Sequence, residues 1–224
     1  MSLNGKQFRS WAFGVIAFFA LLFGIYAYLM YGSPDRLREQ GFVMAKEAVL
    51  PSLWYNVLWA HALSAGLALA IGWLQFLKGL RRGGARVHRI IGYVYSFMIV
   101  IGGLTGLYLA FYADGGWSGR IGFAALSICW LFTLYHGLKT IIVHRNEAAH
   151  RRWMTYNYAL TCAAITLRIY TIIASVVGWD DTDVTFIVIA WLCWVPNLLV
   201  ARLILRRSGT GGRPFSSNGK RLLR

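Results

Sequence analysis

An all-α, polytopic membrane bundle of six transmembrane helices is predicted from three observations. Of the 224 residues 58% are hydrophobic and only 14% are charged, against roughly 25% in soluble domains. The apolar residues gather into runs of about 20, the length that a spanning helix needs. The basic residues stand between those runs, so a net charge of +15 is a topology signal, not the mark of a nucleic-acid partner.

The first helix is placed at Trp11 to Met30. It is too long for a removable secretory signal and lacks the small-residue cleavage pattern, so it is expected to remain. A connection of mixed charge, Tyr31 to Ser52, follows, and Pro34 before a charged stretch predicts a short surface helix there. The second helix is placed at Leu53 to Leu77, the third at Ile90 to Tyr112, the fourth at Arg120 to Val143, the fifth at Trp153 to Gly178 and the sixth at Val184 to Leu205.

The segments Lys78 to Arg89 and Lys139 to Arg152 are basic, as is the tail after Leu205, and all three are expected in the cytoplasm. The loops around Asp114 and Trp179 to Asp183 carry little positive charge and fall outside, with Trp54, Tyr55, Trp117 and Trp179 as interfacial anchors near them. Both termini are then cytoplasmic in an inner membrane. Residues 1–207 form the six-helix domain, and 208–224 a basic tail that is expected to be mobile and drawn to anionic lipid.

Small residues mark the helix contacts, since lipid gives apolar helices no hydrophobic reason to associate. The third helix carries Gly92, Ser96, Gly102, Gly103 and Gly106, and the second carries Ala65, Ala68 and Gly72 on one face. Pro196 is expected to kink the sixth helix and free a carbonyl that Asn197 could satisfy. Cys129, Cys162 and Cys193 lie inside apolar runs with no metal or redox spacing, and are expected to be core residues.

The middle four helices carry a faint internal duplication. The helix end at Phe76, a basic loop and the pair His88-Arg89 align with Gly137, a basic loop and His150-Arg151, at an offset that matches Gln75 with His136 and slips by one residue before the His-Arg pairs. Tyr93 and Tyr95 follow the first pair, and Tyr156 and Tyr158 the second. Helices two to five are therefore expected to form the core, as two hairpins around a pseudo-two-fold axis along the membrane normal.

Arg168 lies about fifteen residues into the fifth helix, past the midplane at about 1.5 Å per residue. A guanidinium there costs at least ~2.5 kcal/mol and so faces the interior with a partner. No Asp or Glu stands inside the proposed helices. Its partner must be a neutral group, a carbonyl, an anionic ligand or a group on an outer loop. Asn157, Thr161, Ala164 and Arg168 share one helical face; His61, Ala65, Ala68, Gly72 and Gln75 share another, with His61 at a similar depth. Two such stripes predict a polar interior seam made of His61, Gln75, Asn157, Thr161 and Arg168. It either fixes helix register alone or holds an anion, a quinone-like head group or a proton path.

His61, the stretch Gly72 to Phe76, the stretch His88 to Tyr95, and the stretch His150 to Met154 leading to Leu167-Arg168 resemble the bacterial membrane proteins of the DUF2306 family, over about residues 55 to 170. This resemblance implies a membrane bundle without an activity. A looser similarity, of architecture only, is to b561-type cytochromes, whose four core helices carry haem-ligating histidines. It implies haem b held by His88 and His150, which open helices that would be diagonal in a four-helix core, with His136 as an alternative ligand and Arg89, Arg151 and Arg152 beside the propionates. The second-haem pattern does not carry over, because no histidine stands near Gly122 and Phe123 to match His61.

Phosphate loops, nucleophile elbows, zinc helices and paired intramembrane carboxylates are all missing. Hydrolase and cation-antiporter chemistry falls with them. Two classes remain: a haem-binding or quinone-linked electron-transfer protein, and a non-catalytic bundle that serves as an accessory subunit or binds lipid or another small molecule. The expected partners are the lipid bilayer and, in the first class, quinone or other membrane subunits.

Overall fold

The computed structural model describes residues 5–44, 50–179 and 182–207. The tail from Ser208 and the loop residues Asp180 and Asp181 lie outside the described residues. Among the described residues six helices are long and apolar enough to cross a membrane: Ser10–Tyr31, Ser52–Phe76, Ala85–Ala110, Gly116–Ile142, Glu147–Val177 and Asp183–Arg207. They are numbered as spans one to six.

The helix of span three begins at Ala85 and that of span five at Glu147, each a turn or more before its apolar run. Hydropathy sees only the hydrocarbon-matched part of a helix. The extra turns carry Arg86, Arg89, Arg151 and Arg152 as exposed groups. Asn146 caps the second of them, its side chain accepting from the Ala149 N–H at 3.0 Å.

Span two packs on span three, span three on four, span four on five, and span five touches span two, which closes a four-helix ring. Span one lies along span two and reaches span five; span six packs on four and five. Spans one and two approach closely where small residues meet. A Cβ on Gly66 would stand 2.8 Å from that of Ala27, and one on Gly24 2.7 Å from that of Ala70. The glycines of span three serve the same end: Gly102 receives the Trp130 ring and Gly103 the Leu131 side chain.

The aligned hairpins are pinned alike near their basic ends. Gln75 Nε2 donates to the His88 carbonyl at 3.1 Å, and His150 Nδ1 bonds the Gly137 carbonyl at 2.7 Å. Between the hairpins the matched tyrosines Tyr95 and Tyr158 are both buried, and both press on Gly72.

Two expected continuous helices are interrupted. Span five breaks at Cys162 and span six at Cys193 and Trp194. The second break has its cause in Pro196, which offers no N–H to the preceding turn. Asn197 Nδ2 takes up the Cys193 carbonyl at 3.0 Å and also donates to the Ala159 carbonyl at 3.3 Å and Thr166 Oγ1 at 3.2 Å. Thr166 Oγ1 donates to the Cys193 carbonyl as well. The two breaks are thus sewn to each other across the interface. Cys193 itself is wholly buried in the core.

The connection after span one forms the helices Pro34–Arg38 and Gly41–Met44. Ser33 caps the first, and Leu37 and Val43 bury against Trp54 with Tyr31, Leu58 and Tyr112 packed around them. This segment covers the end of the bundle away from the basic loops. At that end Gly115 adopts φ +82°, where an L side chain is strained, and a Cβ would also stand 2.9 Å from the Ile187 nitrogen. The turn can therefore sit directly on span six.

Candidate functional site

A cavity of about 360 Å³ lies inside the bundle, in the half away from the basic loops. Its walls come from all six spans, among them Phe23, Ala27, His61, Ala65, Gly106, Phe123, Trp130 and Arg168. The size is at the small end of ligand pockets, and the lining has the usual form of an apolar wall with a few polar groups. Tyr31, Trp54 and Tyr112 line it toward the nearer membrane face, where the helices after span one pack.

Arg168 is half-buried and lines this cavity. Its Nη1 donates to the Ala164 carbonyl at 3.2 Å, one turn earlier on its own helix. The guanidinium also lies over the rings of Phe23 and Tyr26, 5.7 and 5.5 Å from their centroids. Aromatic faces attract a cation most strongly where it is shielded from water. Span one therefore provides the cradle for the one basic residue deep in span five. Those aromatics escaped the sequence reading, although Phe19, Phe23 and Tyr26 recur at helical spacings of four and three.

His61 lines the same cavity. Its Nδ1 lies 2.9 Å from the Gly102 carbonyl and 3.3 Å from Thr105 Oγ1. Thr105 directs its own hydrogen to the backbone, 2.6 Å from the Ile101 carbonyl and 3.1 Å from that of Gly102. A carbonyl can only accept, so Nδ1 carries the ring hydrogen. Gly106 makes room for the imidazole: a Cβ there would stand 3.1 Å from His61 Cε1 and 2.7 Å from Ser127 Oγ. No side chain larger than hydrogen fits between spans two, three and four at this level.

The cavity floor is a polar knot. Asn157, with no exposed surface, accepts from the Tyr95 hydroxyl at 2.7 Å and donates to the Trp130 carbonyl at 2.8 Å and Thr133 Oγ1 at 2.9 Å. Thr161 Oγ1 meets the Tyr95 hydroxyl at 2.8 Å and accepts from Trp130 Nε1 at 2.9 Å. Thr161 and Trp130 also line the cavity. Buried polar groups in lipid must find partners in the protein, and here they tie spans three, four and five together.

The residues of the expected seam thus divide among three places. His61 and Arg168 share the cavity; Thr161 lines its floor with Asn157 behind it, both bonded to the Tyr95 hydroxyl; Gln75 stands apart at the basic end, bonded to the His88 backbone.

The residues expected for haem fall elsewhere. His88, His136 and His150 are absent from the cavity lining. His136 stacks on Trp153, centroids 4.8 Å apart at 24°, and also meets Phe132. His150 gives Nδ1 to Gly137, and Arg89, Arg151 and Arg152 are exposed. Next to them the space between spans three and five holds Tyr95, Asn157 and Thr161. These placements lend the haem reading no support beyond the presence of the histidines.

Comparison with known proteins adds a family. The sequence pattern of predicted membrane proteins described as DUF2306 matches residues 58–205. No curated protein and no solved structure matches the chain. The matched stretch contains His61, the floor residues and Arg168, whereas the aromatic cradle of span one lies outside it.

Proposed function

Because the chain belongs to the DUF2306 family of predicted membrane proteins, whose description states no activity, we propose its function from the cavity: it binds a small lipophilic molecule through an oxygen-bearing head group. The observation that carries this reading is Arg168, a guanidinium held on the wall of a largely apolar cavity by aromatic faces and a single carbonyl. A cation at this depth is costly, and an ionisable residue inside the membrane by default marks a functional site. By the positive-inside rule the basic loops are expected to face the cytoplasm, and in that orientation the site lies in the outer half of the membrane. A lipophilic ligand partitions into the bilayer, which is its route to a site at this depth. Such a protein acts as a carrier, sensor or accessory subunit for a molecule already dissolved in lipid.

The test is extraction. Protein purified in mild detergent is extracted with organic solvent, and the extract is compared with that of Arg168→Leu by mass spectrometry. A lipophilic oxygen-bearing compound near one equivalent in the parent, at least tenfold depleted in the variant, is expected. The same compounds in both samples would show that the cavity is not a binding site. A visible spectrum of the same preparation should be featureless; a Soret band with reducible α and β bands would return His88, His136 and His150 to the centre of the account.

A further inference from the structure

Among the polar residues on the cavity wall, which include Asp114, Ser127 and Thr161, His61 and Arg168 are the two that stand deep in spans two and five with opposite hydrogen-bonding sense. Arg168 can only donate. His61 has its Nδ1 hydrogen committed to span three, and the hydrogen bonds of its ring among the described residues are made at Nδ1. In its neutral form the ring then offers Nε2 to the cavity as an acceptor. An occupant that satisfies both groups must bring a hydrogen-bond donor and an oxygen acceptor.

Resting on the proposed binding function, we infer that the preferred ligand is a hydroxylated aromatic of the quinol class, its hydroxyl donating to His61 Nε2 and its second oxygen accepting from Arg168. The competing head groups each leave one side unpaired. A fully oxidised quinone has only acceptors, so it meets Arg168 and leaves His61 without a partner. A fatty acid beside a guanidinium ionises and becomes acceptor-only too. A phenolic hydroxyl, with an ordinary pKa near 10, keeps its proton. Aromatic walls from Phe23, Trp54, Phe123 and Trp130 suit a ring in the same space.

The experiment titrates the full chain in lipid nanodiscs with decylubiquinol under argon, decylubiquinone and decanoate, reading the quenching of tryptophan fluorescence. The quinol should bind at least tenfold more tightly than either other probe. His61→Phe should bring quinol and quinone to the same affinity, and Arg168→Leu should weaken both. Should His61→Phe not fold, the quinol-to-quinone ratio of the parent decides alone. Equal affinities, tighter binding of quinone or decanoate, a preference that survives in His61→Phe, or no binding of any probe would overturn the inference. The first three of these leave the broader binding function standing, and after the fourth the extraction experiment judges it separately.

Discussion

Replacing Asn157 by leucine removes the centre of the polar knot beneath the cavity while nearly conserving volume. Three hydrogen bonds are lost: one from the Tyr95 hydroxyl, one to the Trp130 carbonyl and one to Thr133 Oγ1. Side-chain hydrogen bonds between membrane helices average about 0.6 kcal/mol and reach about 1.7. Three average bonds sum to about 2 kcal/mol. Some of this is recovered, because the Tyr95 hydroxyl can turn its hydrogen to Thr161 Oγ1, already 2.8 Å away. The Trp130 carbonyl also keeps Thr133 as a donor at 3.0 Å. The expected loss is therefore 1–2 kcal/mol, roughly a five- to thirtyfold change in the unfolding equilibrium. Reversible unfolding in mixed detergent and dodecyl sulfate micelles reads it directly. Tyr95→Phe should cost about 1 kcal/mol, by leaving Asn157 Oδ1 without its donor. The double variant should cost less than the sum of the two, since both delete the same bond. An Asn157→Leu protein as stable as the parent, or strict additivity with Tyr95→Phe, would show that the knot does not hold the helices together.

Other outcomes follow from single contacts. Gly72→Ala should destabilise the bundle by about 1–3 kcal/mol in the same assay, because its Cβ would stand 2.6 Å from ring atoms of both Tyr95 and Tyr158. Asn197→Leu should cost about 1–2 kcal/mol and increase hydrogen exchange around Cys162 and Cys193, where its amide links the two helix breaks; unchanged exchange there would remove that role. Impermeant labelling of cysteines placed near Gly115 should succeed in intact cells, whereas a tag beyond Ser208 should react only after permeabilisation, and the reverse pattern would invert the proposed orientation. Arg168→Lys should bind the lipophilic ligand more weakly than the parent, since an ammonium lacks the planar fork of donors that the guanidinium presents while it lies over Phe23 and Tyr26; full binding would mean that charge alone suffices.

Much of the architecture is legible because one physical rule dominates it. Uncharged runs of about 20 residues must become spanning helices, and the basic loops mark their ends. Polar residues deep in those runs stand out for the same reason, which is why Asn157, Thr161, His61 and Arg168 are visible in the sequence. Their partners are not. Tyr95 and Trp130 read as ordinary core or interfacial aromatics until the fold places their hydroxyl and indole N–H against Asn157 and Thr161. Gln75 misleads in the opposite sense, since it shares a helical face with His61 but spends its amide on the His88 carbonyl. Pro196 announces the break in span six. Cys162, with no proline or glycine beside it, gives no such sign for span five.

The most direct test of the cavity as a binding site is an experimental structure of the full chain in lipid nanodiscs, purified without added ligand and again with decylubiquinol. Non-protein density is expected between His61 and Arg168, with the guanidinium still lying over Phe23 and Tyr26. An Arg168 side chain turned out into lipid, or a cavity closed by protein side chains in both samples, would contradict it.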